Sequence, residues 1–174
     1  YRMEGPDLIA WTKKAEPSMV IVGLSPINLL ITDPSGRKIG RLEGWERYGR
    51  KFVWRSLEYN EIPGASFSRI DLNGDGDSDF VVIFDNKANG DYQIKVSRTR
   101  FAKSSDTYSI AVFSKKLTLA PYNPQYESAF LAKDISVSDI PAKPYVMRST
   151  AFGGLINLPP SADAGGPTEE AKAQ

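Results

Sequence analysis

Nine residues, Asp71-Leu-Asn-Gly-Asp-Gly-Asp-Ser-Asp79, carry five oxygen-bearing side chains at alternate positions, Asp71, Asn73, Asp75, Asp77 and Asp79, with Gly74 and Gly76 between them. The flanking stretches Phe67-Ser-Arg-Ile70 and Phe80-Val-Val-Ile-Phe84 are rich in aromatic and β-branched residues and have no helical period. The acidic stretch therefore joins two strands, and this part of the chain is committed to β-structure. Alternating hard oxygens are what a loop wrapped around Ca²⁺ requires. Positions 1, 3 and 5 turn side chains inward, position 7 offers its carbonyl, and a glycine at position 6 permits the sharp turn.

Asp71, Asn73, Asp75, Gly76 and Asp77 fill those places. At position 12, where an EF-hand has a bidentate Glu, this chain has Val82, so the remaining oxygens would come from Asp79 and water. The loop is not an EF-hand. On a strand-to-strand connection it resembles the hairpin calcium loops of integrin-type and FG-GAP repeats, and more loosely the dockerin loop, which implies a bound Ca²⁺. The competing reading is an acidic, glycine-rich turn that binds nothing.

A chain of 174 residues, 41% hydrophobic and 11% aromatic, suits one globular domain or one domain with an extension. With 22 basic and 21 acidic residues there is no footprint for nucleic acid and no global attraction to an anionic membrane. Cysteine and histidine are both absent from the composition, which removes thiolate nucleophiles, Ser-His-Asp triads, disulfides and the usual zinc and haem ligands. Met19-Val-Ile-Val-Gly-Leu24, the longest apolar run, is too short to span a bilayer, and nothing at the start reads as a signal peptide. A first residue that is Tyr rather than Met leads us to expect a removed leader.

Strands are predicted at Asp7–Thr12, Met19–Ser25 and Ile27–Thr32. Asp33-Pro-Ser-Gly36 then supplies a turn, with Pro at i+1 and Gly at i+3, leading into Arg37–Leu42. From Ser25 to Phe113 the order of phrases resembles a small β-sandwich module that recurs in secreted bacterial and archaeal surface proteins. The phrases are Ser25–Gly40, Asn60-Glu-Ile-Pro-Gly-Ala65, Val81–Asp85 leading to Gly90–Val96, and Thr107–Val112. The resemblance implies that Asp91–Val96 and Thr107–Val112 pair as a final hairpin, and it places the chain outside the cell or on its surface.

Between Gly40 and Asn60 this chain departs from that module. Gly44-Trp-Glu-Arg-Tyr-Gly-Arg-Lys-Phe-Val-Trp-Arg55 has two tryptophans and four cations. One reading is an aromatic platform for sugars, Trp45, Tyr48 and Trp54, with Arg47, Arg50 or Arg55 bonding hydroxyls. The other is an elaborated hairpin whose tryptophans cap the core while the cations reach outward. Glu58 and Glu61 are weak candidates for a hydrolytic pair, because one loop rarely supplies both walls of a cleft.

After residue 120 prolines accumulate: Pro121, Pro124, Pro141, Pro144, Pro159, Pro160 and Pro167. Pro124–Lys133 reads as a short helix capped by Asn123, and apolar pieces recur at Ile135–Val137, Tyr145–Met147 and Phe152–Leu158. Spacing of that kind suggests a strap that docks, either on a neighbouring copy or back on its own sandwich. The phrase Leu158–Pro167 resembles the opening of a PKD-type domain.

The expectation is an all-β, antiparallel β-sandwich (jelly-roll or Ig-like) over residues 1–120, followed by an extended, proline-rich arm over 121–174. Its expected role is that of a non-enzymatic, calcium-stabilised structural module of an extracellular or cell-surface assembly, with partners in other copies or neighbouring domains. The alternative is a glycan-binding accessory module of a secreted hydrolase.

Overall fold

Two apolar runs, Met19–Leu24 and the stretch after Asp79, lack the alternation of a half-exposed strand because both of their faces are covered. The structure, a computed structural model, describes residues 17–24, 26–72, 74, 76–115, 126–150 and 155–158, the last four by backbone alone. Along the chain come β1 (Met19–Leu24), β2 (Ile27–Thr32), β3 (Lys38–Tyr48), β4 (Lys51–Asn60), β5 (Ala65–Ile70) and β6 (Asp79–Phe84). They are followed by β7 (Gly90–Arg98), β8 (Thr107–Lys115), β9 (Tyr126–Ser136), a single 3₁₀ turn (Val137–Asp139), β10 (Tyr145–Ser149) and β11 (Leu155–Leu158).

These strands form two antiparallel sheets, ordered β5-β6-β1-β8-β9 and β11-β10-β7-β2-β3-β4, packed as a β-sandwich. One core lies between them. Met19, Ile21, Phe80, Val82, Phe84, Ile110 and Val112 from the first sheet meet Ile27, Leu29, Ile31, Tyr92, Ile94 and Met147 from the second. Fully burying each such side chain contributes about 1.5–3 kcal/mol. Val20, Val22, Val81 and Ile83, of opposite parity, make a second cluster with Ile70, Leu72 and Phe113 on the other face of the five-stranded sheet. That explains why β1 and β6 read as unbroken apolar runs.

The predicted turn at Asp33–Gly36 joins β2 to β3, with Gly36 N bonded to Asp33 O at 2.9 Å and Asp33 Oδ1 accepting from Arg37 N at 2.8 Å. Pairing elsewhere differs from expectation. β7 lies between β2 and β10, and β8 between β1 and β9, so Asp91–Val96 and Thr107–Val112 are not a hairpin and residues 99–106 cross between sheets. Their alternations specify an inward face for Tyr92, Ile94, Val96 and for Tyr108, Ile110, Val112, and two strands facing each other across a core satisfy that as well as two neighbours do.

The predicted helix at Pro124–Lys133 is also replaced, over its described part, by β9, whose hydrogen bonds to β8 outweigh the helical propensity of Glu127, Ala129, Leu131 and Ala132. β9 is irregular: its register with β8 shifts on either side of Ile110, and Asp134 has φ 52°. Where the sequence places an arm beyond residue 120, the described strands belong to the sandwich itself: β9 ends the five-stranded sheet, while β10 and β11 extend the six-stranded one. Tyr108 and Tyr145 join their hydroxyls across the core at 2.8 Å, and Lys87 Nζ donates to Ser149 Oγ at 2.5 Å and to Thr150 O at 3.0 Å. The strand predicted at Asp7–Thr12 and the PKD-like phrase after Leu158 lie outside the described residues.

Candidate functional site

Strand registers bring together the chemistry-bearing segments of the sequence. Gly23 stands opposite Phe80 and Ile110, and Ile27 opposite Arg98, so the acidic loop after β5, the crossover 99–106 and Pro26 share one end of the sandwich. β3 runs toward the same end. It pairs with β2 only from Lys38 to Gly40 but with β4 at ten positions, so the rest of β3 and β4 forms a two-stranded ribbon. Gly40 marks the departure, for its φ is 120° and a Cβ there would stand 2.1 Å from Leu29 O. The ribbon crosses the outer face of the sheet, where Glu43 N donates to Ser97 Oγ at 3.1 Å and Asn28, on that same face, is fully buried.

The acidic loop is organised around its first carboxylate. Asp71 Oδ1 accepts from Gly74 N at 2.9 Å and Asp71 Oδ2 from Gly76 N at 3.0 Å, while Gly74 and Gly76 take φ values of 71° and 92°. A glycine in the left-handed region at loop position 6 is what the turn requires. Asp79 is buried and accepts from Leu72 N at 3.2 Å, which ties the two ends of the loop together; Asp77 is exposed. A carboxylate oxygen that accepts one N–H keeps a lone pair for a cation, so these bonds leave the exposed Asp71 able to act as a hard ligand. Among the described residues there is no group of three or more acidic side chains placed to hold a metal ion. Asn73 and Asp75, two of the five predicted ligands, lie outside the described residues, so the donor set combines described and undescribed positions.

The ribbon separates the aromatic residues that the sequence grouped as a platform. Trp45 and Trp54 are directly opposed, with ring centroids 5.3 Å apart and planes at 83°, an edge-to-face pair rather than one flat surface. Tyr48 falls on the other face by parity, where it meets Arg55, which also binds Glu46 at 2.8 Å. Neither tryptophan caps the central core: Trp45 is 42% exposed, and the Arg98 guanidinium stands 5.9 Å from the Trp54 ring centre. Between this ribbon, Lys95–Arg98 and residues 137–142 runs a cleft of about 720 Å³, with Trp45, Leu57 and Ile140 among its apolar walls.

Glu58 pairs with Arg41, and Glu61 accepts from Lys38 N at 2.9 Å, so both act in holding β3 and β4 together. Sequence reasoning missed Arg69. From β5 it donates to Ile27 O at 3.1 Å and to Asn28 Oδ1, bridging the two sheets beside the loop, and burial lowers the pKa of its guanidinium from the ordinary value. No local pattern marks it, because its partners lie some forty residues away in the chain. No family model, curated protein or solved structure matches this chain.

Proposed function

We propose that this chain is a structural module of an extracellular or cell-surface assembly, stiffened by calcium on the loop between β5 and β6, with the β3–β4 ribbon as its contact element. The observation that carries the reading is the ribbon itself. Tyr48, Phe52, Val53 and Leu57 are 43–66% exposed on it, and among the described residues β4 pairs on one side only. An edge strand of ten residues with exposed apolar side chains, Phe52, Val53 and Leu57, is a template for added structure, where main-chain bonds supply affinity and side chains supply register. The pieces expected to act as an arm are used within the molecule's own sheets, so the proposed contact moves from the C-terminal segment to the ribbon. Among the described residues no helix is long and apolar enough to cross a membrane.

Two measurements separate the parts of this reading. Titrating Ca²⁺ into chelator-treated protein should release or absorb heat and raise the melting temperature. A ligand at about 100 times its Kd adds roughly 2.7 kcal/mol. An athermal titration with an unmoved melting curve would leave the loop an acidic turn. Sedimentation across a concentration series should show self-association that the Phe52→Glu, Leu57→Glu double variant removes without lowering the melting temperature. A wild-type chain that stays monomeric throughout would refute the assembly role.

A further inference from the structure

A second recess lies at the same end of the sandwich, about 600 Å³, between the acidic loop and the crossover from β7 to β8. Its size is that of a small-ligand site. Among the described residues the apolar side chains in its wall are Pro26 and Phe101, and Phe101, at 86% exposed, is the most exposed of the large hydrophobic residues described. Hydroxyls come from both sides, Ser78 from the acidic loop and Thr99, Ser105 and Thr107 from the crossover. Among the described lining residues, two cations, Arg69 and Lys103, are balanced by two carboxylates, Asp77 and Asp106.

The crossover wall and Arg69 are held by the molecule's own bonds. Lys103 N donates to Asp106 Oδ2 at 2.7 Å, Asp106 N to Lys103 O at 3.0 Å and Ala102 N to Thr99 O at 3.2 Å, so the crossover is folded on itself. Arg69 is held by the carbonyl of Ile27 and the side chain of Asn28 and lies over the Phe80 ring, at 5.4 Å from its centre. A preformed wall spares a ligand much of the ordering cost of binding.

The chemistry of the walls selects among ligand classes. An anion would meet Asp77 and Asp106, a cation would meet Arg69 and Lys103, and an apolar molecule would find, among the described residues, Phe101 and Pro26 alone. A neutral, hydroxyl-rich ring with an apolar face uses everything present: the carbon face lies on the exposed aromatic ring, and each hydroxyl both donates and accepts. We propose that this recess is a binding site for a neutral saccharide, with Phe101 as the stacking residue and Arg69, Asp77 and Asp106 bonding sugar hydroxyls. The site goes beyond the assembly role, does not rest on calcium, and is separate from the Trp45 and Trp54 pair.

The test uses the whole chain with Ca²⁺ present throughout, so that the loop is in one state. Amide correlation spectra are recorded with maltohexaose, cellohexaose and mannohexaose at millimolar concentrations. At least one should shift the amides of residues 77–78 and 99–107, with affinity about tenfold weaker in Phe101→Ala, as loss of a single aromatic contact predicts, and unchanged in Trp45→Ala. Because Phe101 is almost wholly exposed, its replacement should leave the melting temperature in place. The proposal fails if none of the three moves these amides, if Phe101→Ala binds like the wild type, or if the shifts map to residues 41–59 and vanish in Trp45→Ala.

Discussion

Replacing Tyr108 by Phe removes one hydroxyl from the core and leaves another without its partner. Tyr108, on β8 of the five-stranded sheet, is 1% exposed, and Tyr145, on β10 of the six-stranded sheet, is 7% exposed; their hydroxyls are 2.8 Å apart. The substitution deletes little volume, so the cost comes from the Tyr145 hydroxyl, which stays desolvated with nothing to bond. Leaving a buried polar group unsatisfied costs about 1–3 kcal/mol. In a chain of this size that lowers the melting temperature by roughly 2–12 °C, at about 2–4 °C per kcal/mol. Tyr145→Phe alone should cost a similar amount, whereas the double variant should cost little more than either single one. The coupling energy, read from chemical denaturation of all four proteins, should be about 1–2 kcal/mol, within the range of bonded pairs. Additive single effects would refute the reasoning, since hydroxyls that do not meet have nothing to couple. That result would leave β10 held in its sheet by the pairing with β7, without the contact across the core.

The same phenols set an alkaline limit. Burial raises the pKa of Tyr92, Tyr108 and Tyr145 above their ordinary 10.0, so each stays protonated in the folded protein where the unfolded chain would ionise. With the folded values raised, their stabilisation is fully present below pH 10.0 and is lost as pH rises above it; the melting temperature should fall above pH 10.0, less steeply in the Tyr108→Phe, Tyr145→Phe variant. Gly40→Ala should be severely destabilising, since its Cβ would stand 2.1 Å from the Leu29 carbonyl oxygen in a backbone with φ 120°. Gly36→Ala, with φ 86° and nothing within 4 Å of the added carbon, should cost only about 1–2 kcal/mol of backbone strain. Equal losses in the two glycine variants by thermal melting would mean that β3 does not leave β2 at Gly40.

Local chemistry determined a good deal by itself. Runs of Val, Ile, Leu and Phe specified β1, β2 and β6, Asp33-Pro-Ser-Gly36 specified the turn into β3, and the glycines of the acidic loop specified a tight connection between β5 and β6. Each of these is a property of neighbours in the chain, where a residue's own φ preference or the parity of its side chain suffices. Who pairs with whom is not such a property. Alternation sends Tyr92 and Tyr108 inward without saying that they arrive from opposite sheets, and the helix formers of residues 127–132 carry no sign of the β8 edge that makes them a strand. Exposure, too, is decided only at the tertiary level. Trp45 and Trp54 look like core residues until Gly40 turns the ribbon away from β2, and Asp79 looks like its exposed neighbour Asp77 until it becomes the first residue of β6 and is buried. Arg69 and Phe101 have no local signature for the same reason: one is defined by partners on β2, the other by a recess whose walls come from segments far apart in the chain, at Pro26, Arg69, Asp77 and the crossover, and only packing brings those together.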